Sequence, residues 1–180
     1  MSKINKILIY TEGESELILF NQYLKKYFKN NYNIETECQS GDIPSFKRKI
    51  SRNMFFDYKQ IFILRDLKTE LKGIINYPCI TKMKHDYTTK TDKRFLGNIG
   101  RSYEFIVVCN EIESWTLTFK KITNNRNEKH IQEIYKELNC NNKVKCMQKI
   151  VQKLNNGELT FKISDNSSFK YFVDKLELCK

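Results

Sequence analysis

The stretch KILIYTEGESELILF, Lys6 to Phe20, decides the fold. It predicts a short strand, a tight acidic turn and the start of a helix. Ile7, Leu8, Ile9 and Tyr10 make an unbroken apolar run, the pattern of a strand covered on both faces. Glu12 and Gly13 follow at once, and the glycine suits a sharp turn that a Cβ would hinder. A helix then opens at Glu14 or Ser15, with Leu17, Phe20, Leu24 and Phe28 as its apolar stripe. The acids of this turn have two readings. Glu14 and Glu16 either complement the positive end of the helix dipole or join a ligand site of the kind that α/β sheets build beyond the carboxyl ends of their strands. Glu12 precedes the glycine and belongs to the turn itself, which favours the second reading for it.

The same arrangement recurs twice. Tyr58 to Leu64 predicts a second buried strand, with Ile61, Phe62, Ile63 and Leu64 continuous, and it runs into Arg65-Asp66-Leu67-Lys68-Thr69-Glu70. Tyr103 to Cys109 (YEFIVVC) predicts a third, followed by Asn110-Glu111-Ile112-Glu113-Ser114-Trp115. Parallel strands end on one edge, so Glu12, Asp66 and Glu113 are expected to meet there. Trp115 and Leu117 open the next helix, with Trp115 packed down on the sheet.

Between these strands lie weaker signals. Asn33 to Gln39 alternates as a fourth strand would. Pro44 opens a helix with Phe46, Ile50 and Met54 on one edge and Lys47, Arg48, Lys49 and Arg52 on the others. Tyr77 to Met83 reads as an edge strand that tolerates Pro78. Residues 84–100 read as a polar loop over the site or an insertion, and His85 and Asp86 as surface residues of it. From Thr123 the periodicity becomes helical. Ile131, Ile134, Tyr135 and Leu138 mark one helix, and Val144, Met147, Val151 and Leu154 another, with Lys145, Lys149 and Lys153 beside its apolar face. Asn155-Asn156-Gly157 carries a C-cap signal. Glu158 to Ile163 is expected as a short strand, and Phe169, Phe172, Val173 and Leu176 as a last amphipathic helix. The chain divides into an α/β domain over residues 1–122 and a helical C-terminal extension over 123–180 packed on it.

A 180-residue chain with 40% hydrophobic and 13% aromatic residues has the material for a core, which excludes disorder. No apolar run spans a membrane and no hydrophobic leader precedes the first strand, so a cytoplasmic protein without a membrane partner is expected. Thirty-two Lys and Arg against 21 Asp and Glu leave a net charge of +11. That favours a polyanionic partner, nucleic acid first; a Lys- and Asn-rich chain from an AT-rich genome carries the same excess for another reason. The six cysteines form no CxxC pair and the two histidines stand alone, against a zinc site or a disulfide framework. Neither GxxxxGK[ST] nor GxGxxG occurs, and no triad motif surrounds either histidine. Clustered carboxylates instead suit Mg²⁺ or Mn²⁺ acting on a phosphodiester, with the basic surface holding the polyanion.

ILIYTEGESE resembles the first motif of Toprim domains, and FILRDLK their second, a strand ending in Asp-x-Asp. VVCNEIESW is similar to the Glu-x-Trp segment of small standalone Toprim-like proteins related to the overcoming-lysogenization-defect nucleases. The resemblance spans Lys6 to Leu117 and leaves the helical tail uncovered. It implies a Toprim/Rossmann-like, mostly parallel four-stranded sheet flanked by helices, which binds Mg²⁺ and cuts or rejoins nucleic acid. Glu12 matches the glutamate that serves as general acid/base or metal ligand. Asp66 matches the first aspartate of Asp-x-Asp, Glu113 the acid before the tryptophan, and Glu16 the trailing acid of the first motif.

Lys68 stands where the second aspartate is expected. Either Glu70 or Glu111 substitutes as ligand, or Lys68 contacts phosphate, or the site has lost activity and the protein only binds. The length leaves no room for a tyrosine-bearing cleavage domain, so topoisomerase activity is not expected. The leading expectation is a metal-dependent nuclease of prokaryotic or phage defence or repair, as a homodimer or with a partner protein. Nucleic-acid contacts are expected at Lys47, Arg48, Arg52, Lys68, Lys145 and Lys149. The alternatives are a non-catalytic nucleic-acid-binding or regulatory protein, and a structural protein whose acids only cap helices.

Overall fold

Unbroken apolar runs build three strands of the sheet, and the alternating stretch Tyr32–Cys38 builds the other. The computed structural model describes residues 5–38, 57–66, 103–108, 112–115, 135–160, 163 and 166–179. Within them, β1 (Asn5–Thr11), β2 (Tyr32–Cys38), β3 (Gln60–Asp66) and β4 (Glu104–Val108) form a four-stranded sheet in the order β2-β1-β3-β4. All three pairings are parallel, so the α/β class read from the sequence is what the chain adopts. Ile7, Ile9, Phe62, Leu64, Ile106 and Val108 face one layer of helices. Leu8, Tyr10, Ile61, Ile63, Phe105 and Val107, on the opposite face, are buried too. Burial on both sides is why these strands read as solid hydrophobic blocks.

β3 continues two residues past Leu64. Asp66 is therefore the last residue of the strand and not the first of a loop. Its ladder with β4 holds it there, pairing Asp66 with Val108.

The helix after β1 differs from the expected stripe. α1 (Glu14–Leu19) passes into a π-helical turn (Phe20–Leu24) and then α2 (Lys25–Phe28). Ile18, Leu19, Phe20, Leu24 and Phe28 are buried, whereas Leu17 is only half-buried. A regular helix advances about 100° per residue, which would carry Leu24 and Phe28 away from the Ile18–Phe20 side. The wide turn takes up one extra residue and brings them back over the sheet.

Two further helices among the described residues pack on this layer. Asn142 caps α3 (Lys143–Asn155) by accepting the Lys145 N–H at 2.9 Å. Its other end closes on Gly157 at φ +74°, with Glu158 N–H bonded to the Lys153 carbonyl and Gly157 N–H to that of Leu154. Glu158 then accepts from Lys153 Nζ (2.7 Å) and Asn156 Nδ2 (3.2 Å). Committed to this closure, Glu158 to Thr160 do not form the short strand expected over 158–163, and Ile163 is not in a strand either.

α4 (Ser167–Glu177) is capped by Asn166, whose Oδ1 accepts from the Ser168 and Phe169 N–H groups, both at 3.0 Å. Tyr32 Oη bonds the Leu176 carbonyl and Asn5 Nδ2 that of Cys179, so the C-terminal helix is tied to the starts of β2 and β1. Phe172 lies at the middle of the core, its ring against those of Phe20, Phe28, Phe62, Trp115 and Phe169. Trp115 ends a 3₁₀ turn (Ile112–Trp115) and gives its indole N–H to Ser168 Oγ at 2.9 Å. Sheet and C-terminal helices share one apolar cluster. Among the described residues no helix is long and apolar enough to cross a membrane.

The helix over 44–54 with Lys47, Arg48 and Arg52, the segment 72–100 with His85 and Asp86, and Lys68, Glu70 and Glu111 lie outside the described residues.

Candidate functional site

β1 is followed along the chain by β2 on one side, whereas β3 lies on the other. The strand order therefore reverses between β1 and β3, where open parallel sheets leave a crevice at their carboxyl ends. Tyr10 is level with Ile63, so two residues further on Glu12 falls level with Arg65. The structure brings these groups together. Glu12 Oε2 accepts the backbone N–H of Asp66 at 3.0 Å and lies 3.6 Å from Arg65 Nε. The Asp66 side chain belongs to a buried residue at the same strand end.

The turn around Glu12 is held from both sides. Thr11 Oγ1 donates to the Gly13 carbonyl at 3.2 Å, and the Cys38 thiol points at the Glu12 carbonyl from the end of β2 at 3.9 Å. Gly13 is extended, at φ −142° and ψ −174°, a conformation open to any residue. The reason for glycine is space and not a forbidden turn: a Cβ would stand 3.2 Å from Glu16 Oε2. That oxygen accepts the Gly13 N–H at 3.1 Å, which makes Glu16 the capping acid of α1. Burial pushes the Glu16 carboxyl above the usual carboxylate range and the nearby Glu12 adds to this. Its own backbone, Lys143 and Gly13 act the other way.

Glu113 is buried in the 3₁₀ turn after β4. It lies toward α3, where it adds to the effect of burial and of Cys140 in pushing the Cys146 thiol up. Among the described residues no three or more His, Cys, Asp or Glu side chains are grouped to hold a metal ion. Of the described acids, Glu12 reaches the end of β3 through the Asp66 backbone N–H. Glu16 stands beside Glu12 but serves the helix cap.

Of the expected basic contacts, Lys145 is exposed on α3. Lys149 Nζ donates to the carbonyls of Leu138 (2.9 Å) and Asn139 (3.0 Å), clamping the turn before α3. Arg65 had no role in the sequence reading. Its signal was a lone arginine interrupting the apolar run FIL just before an acid.

Glu12 and the buried Asp66 at the end of β3 carry the kind of oxygen donor that Mg²⁺ takes. That ion is commonly held by one or two carboxylates, its other positions taken by water and phosphate oxygens. Such oxygen donors suit a hard cation more than zinc.

Fold and site together define an α/β protein with a parallel sheet, in which Glu12 contacts Arg65 and the Asp66 N–H at the point of strand-order reversal. Comparison with known protein families, characterised proteins and solved structures returned no match to the chain.

Proposed function

We propose that the protein is a metal-dependent nuclease of the Toprim type, cutting phosphodiesters of DNA or RNA in prokaryotic or phage defence or repair. The observation that carries this reading is the contact between Glu12 and the end of β3, where the Glu12 carboxylate accepts the Asp66 N–H. Glu12 and Asp66 are the residues to hold Mg²⁺ or Mn²⁺. Bound there, the ion would supply Lewis-acid stabilisation of a phosphate and an activated water. The Asp66 N–H and Arg65 hold the Glu12 carboxylate at the end of β3. The net charge of +11 draws the polyanion to the protein. The test is cleavage of single- and double-stranded DNA and RNA with Mg²⁺ or Mn²⁺. Glu12→Ala and Asp66→Ala are each expected to lower the rate by about 10²-fold or more, the scale of a lost acid/base group. Equal rates in all three proteins overturn the proposal.

A second reading has its own support. Arg65 already neutralises Glu12, and Lys68 replaces an acid of the resembled motif. In that case the protein binds nucleic acid without cutting it. Binding would weaken steeply with salt, persist in Glu12→Ala and need no divalent ion.

A further inference from the structure

We propose that Cys140 and Cys146 are a reversible redox site: a low-molecular-weight disulfide such as oxidised glutathione joins the two thiols and so ties the turn before α3 to the helix itself. The geometry is that of a helix N-terminus. Asn142 is the cap, so Cys140 lies just ahead of it, and Cys146 closes the first helical turn with its N–H on the Asn142 carbonyl at 3.0 Å. Side chains just ahead of a cap fold back on the fourth helical residue, and here both positions carry sulfur. Cys146 is fully buried in the core, and Cys140 is half-buried and packs against that core. The Cys146 thiol is within hydrogen-bonding reach of the Cys140 sulfur. The turn itself is well held. The Cys140 N–H bonds the Tyr135 carbonyl at 2.7 Å, and its thiol donates to that of Leu138 at 3.3 Å. Lys149 Nζ bonds the carbonyls of Leu138 and Asn139, which sets positive charge beside a partly exposed thiol. Thiols exchange in such surroundings.

Burial pushes the Cys146 thiol up, and Cys140 and Glu113 add to this while Lys149 opposes it. Cys146 is closed to solvent and held as the thiol, so Cys140 is the point of entry. Two exchanges complete the reaction. The Cys140 thiolate attacks one sulfur of the oxidant, whose S–S bond breaks, leaving a mixed disulfide and one glutathione thiolate. Cys146 then loses its proton and its sulfur attacks that of Cys140, releasing the second glutathione. Each released thiolate takes up one proton. Two protein thiols and one oxidant disulfide thus become one protein disulfide and two glutathione thiols, with two electrons passing to the oxidant. The product fixes the start of α3 against the core and takes both sulfurs out of reach of deeper oxidation. This chemistry is independent of whether the protein cuts nucleic acid.

The experiment is peptide mapping of the full chain after incubation in glutathione mixtures of rising oxidised fraction, with remaining thiols alkylated before digestion. Lys143 and Lys145 lie between the two cysteines, so trypsin puts Cys140 and Cys146 on different peptides unless a disulfide joins them. Wild type is expected to give the joined peptide, and dithiothreitol to separate it. Cys140→Ser should lack it. In Cys146→Ala, Cys140 should instead carry one glutathione. In urea the joined peptide should need a more oxidising mixture, because the fold no longer holds the thiols together. Wild type in which Cys140 stays reduced, keeps its glutathione or joins another cysteine overturns the inference. Joining that is as easy in urea as in the folded protein overturns it too. The wild-type arms decide the matter even where a variant fails to fold.

Discussion

Glu16 shows how one side chain can look like a ligand and serve as a cap. Its carboxylate accepts the Gly13 N–H in a site that excludes most water. Burial raises its pKa, so the folded protein holds that proton to higher pH than the unfolded chain does. The stability this gives is complete below the ordinary carboxylate range and is lost as pH rises through the raised value. Glu16→Gln keeps an oxygen for the Gly13 N–H and removes the ionisation. It is expected to be more stable than wild type in urea unfolding at neutral pH, with the advantage gone near about pH 4, where model carboxylates take up protons. In the string EGESE only the place of Glu12 before the glycine set it apart, and nothing there assigned Glu16 to the cap and not to a ligand site. The distinction comes from the β1–β3 register, which carries Glu12 to Arg65 and leaves Glu16 on the helix.

Among the elements, the strands were the most legible. ILIY, IFIL and FIVV are buried on both faces and needed no alternation to be recognised. Strand ends were harder to read, since Arg65 and Asp66 extend β3 with charged residues that a hydrophobic pattern discards. Glu113 depends on a 3₁₀ turn and on where α3 packs, neither of which is encoded near it in sequence. The helix caps were readable only in part. Gly157 announced the end of α3, but Asn142 and Asn166 are two of many asparagines. They also differ in weight. Asn142 is exposed and accepts one backbone N–H of α3, whereas Asn166 is buried, accepts two from α4 and also takes the Ser168 hydroxyl at 2.8 Å. Asn142→Ala is expected to cost about 1 kcal/mol of unfolding free energy, an ordinary cap loss. Asn166→Ala should cost more, about 2 kcal/mol or above, because it leaves buried donors unpaired. Chemical denaturation of the two variants side by side measures the difference, and equal losses would contradict this ranking.

At the scale of the molecule, a single apolar cluster joins the sheet to the C-terminal helices, with Phe172 fully buried at its middle. Phe172→Ala is expected to cost about 3–5 kcal/mol, the range for a deleted core aromatic. Its loss should appear as one cooperative shift of the urea midpoint seen alike by Trp115 fluorescence and by circular dichroism. Two separate transitions would mean that the C-terminal helices unfold independently of the sheet. The π-helical turn at Phe20–Leu24 has an evolutionary corollary. A spacing of three and four residues cannot be followed across it, since the helix there stores a spare residue. Deleting the exposed Gln22 would spend that spare and return an ordinary α-helix with Leu24 and Phe28 still facing inward. The same deletion elsewhere in the helix would turn everything downstream by about 100°. This turn is thus a hinge point for chain length, where descendants of the protein can lose a codon and keep their core.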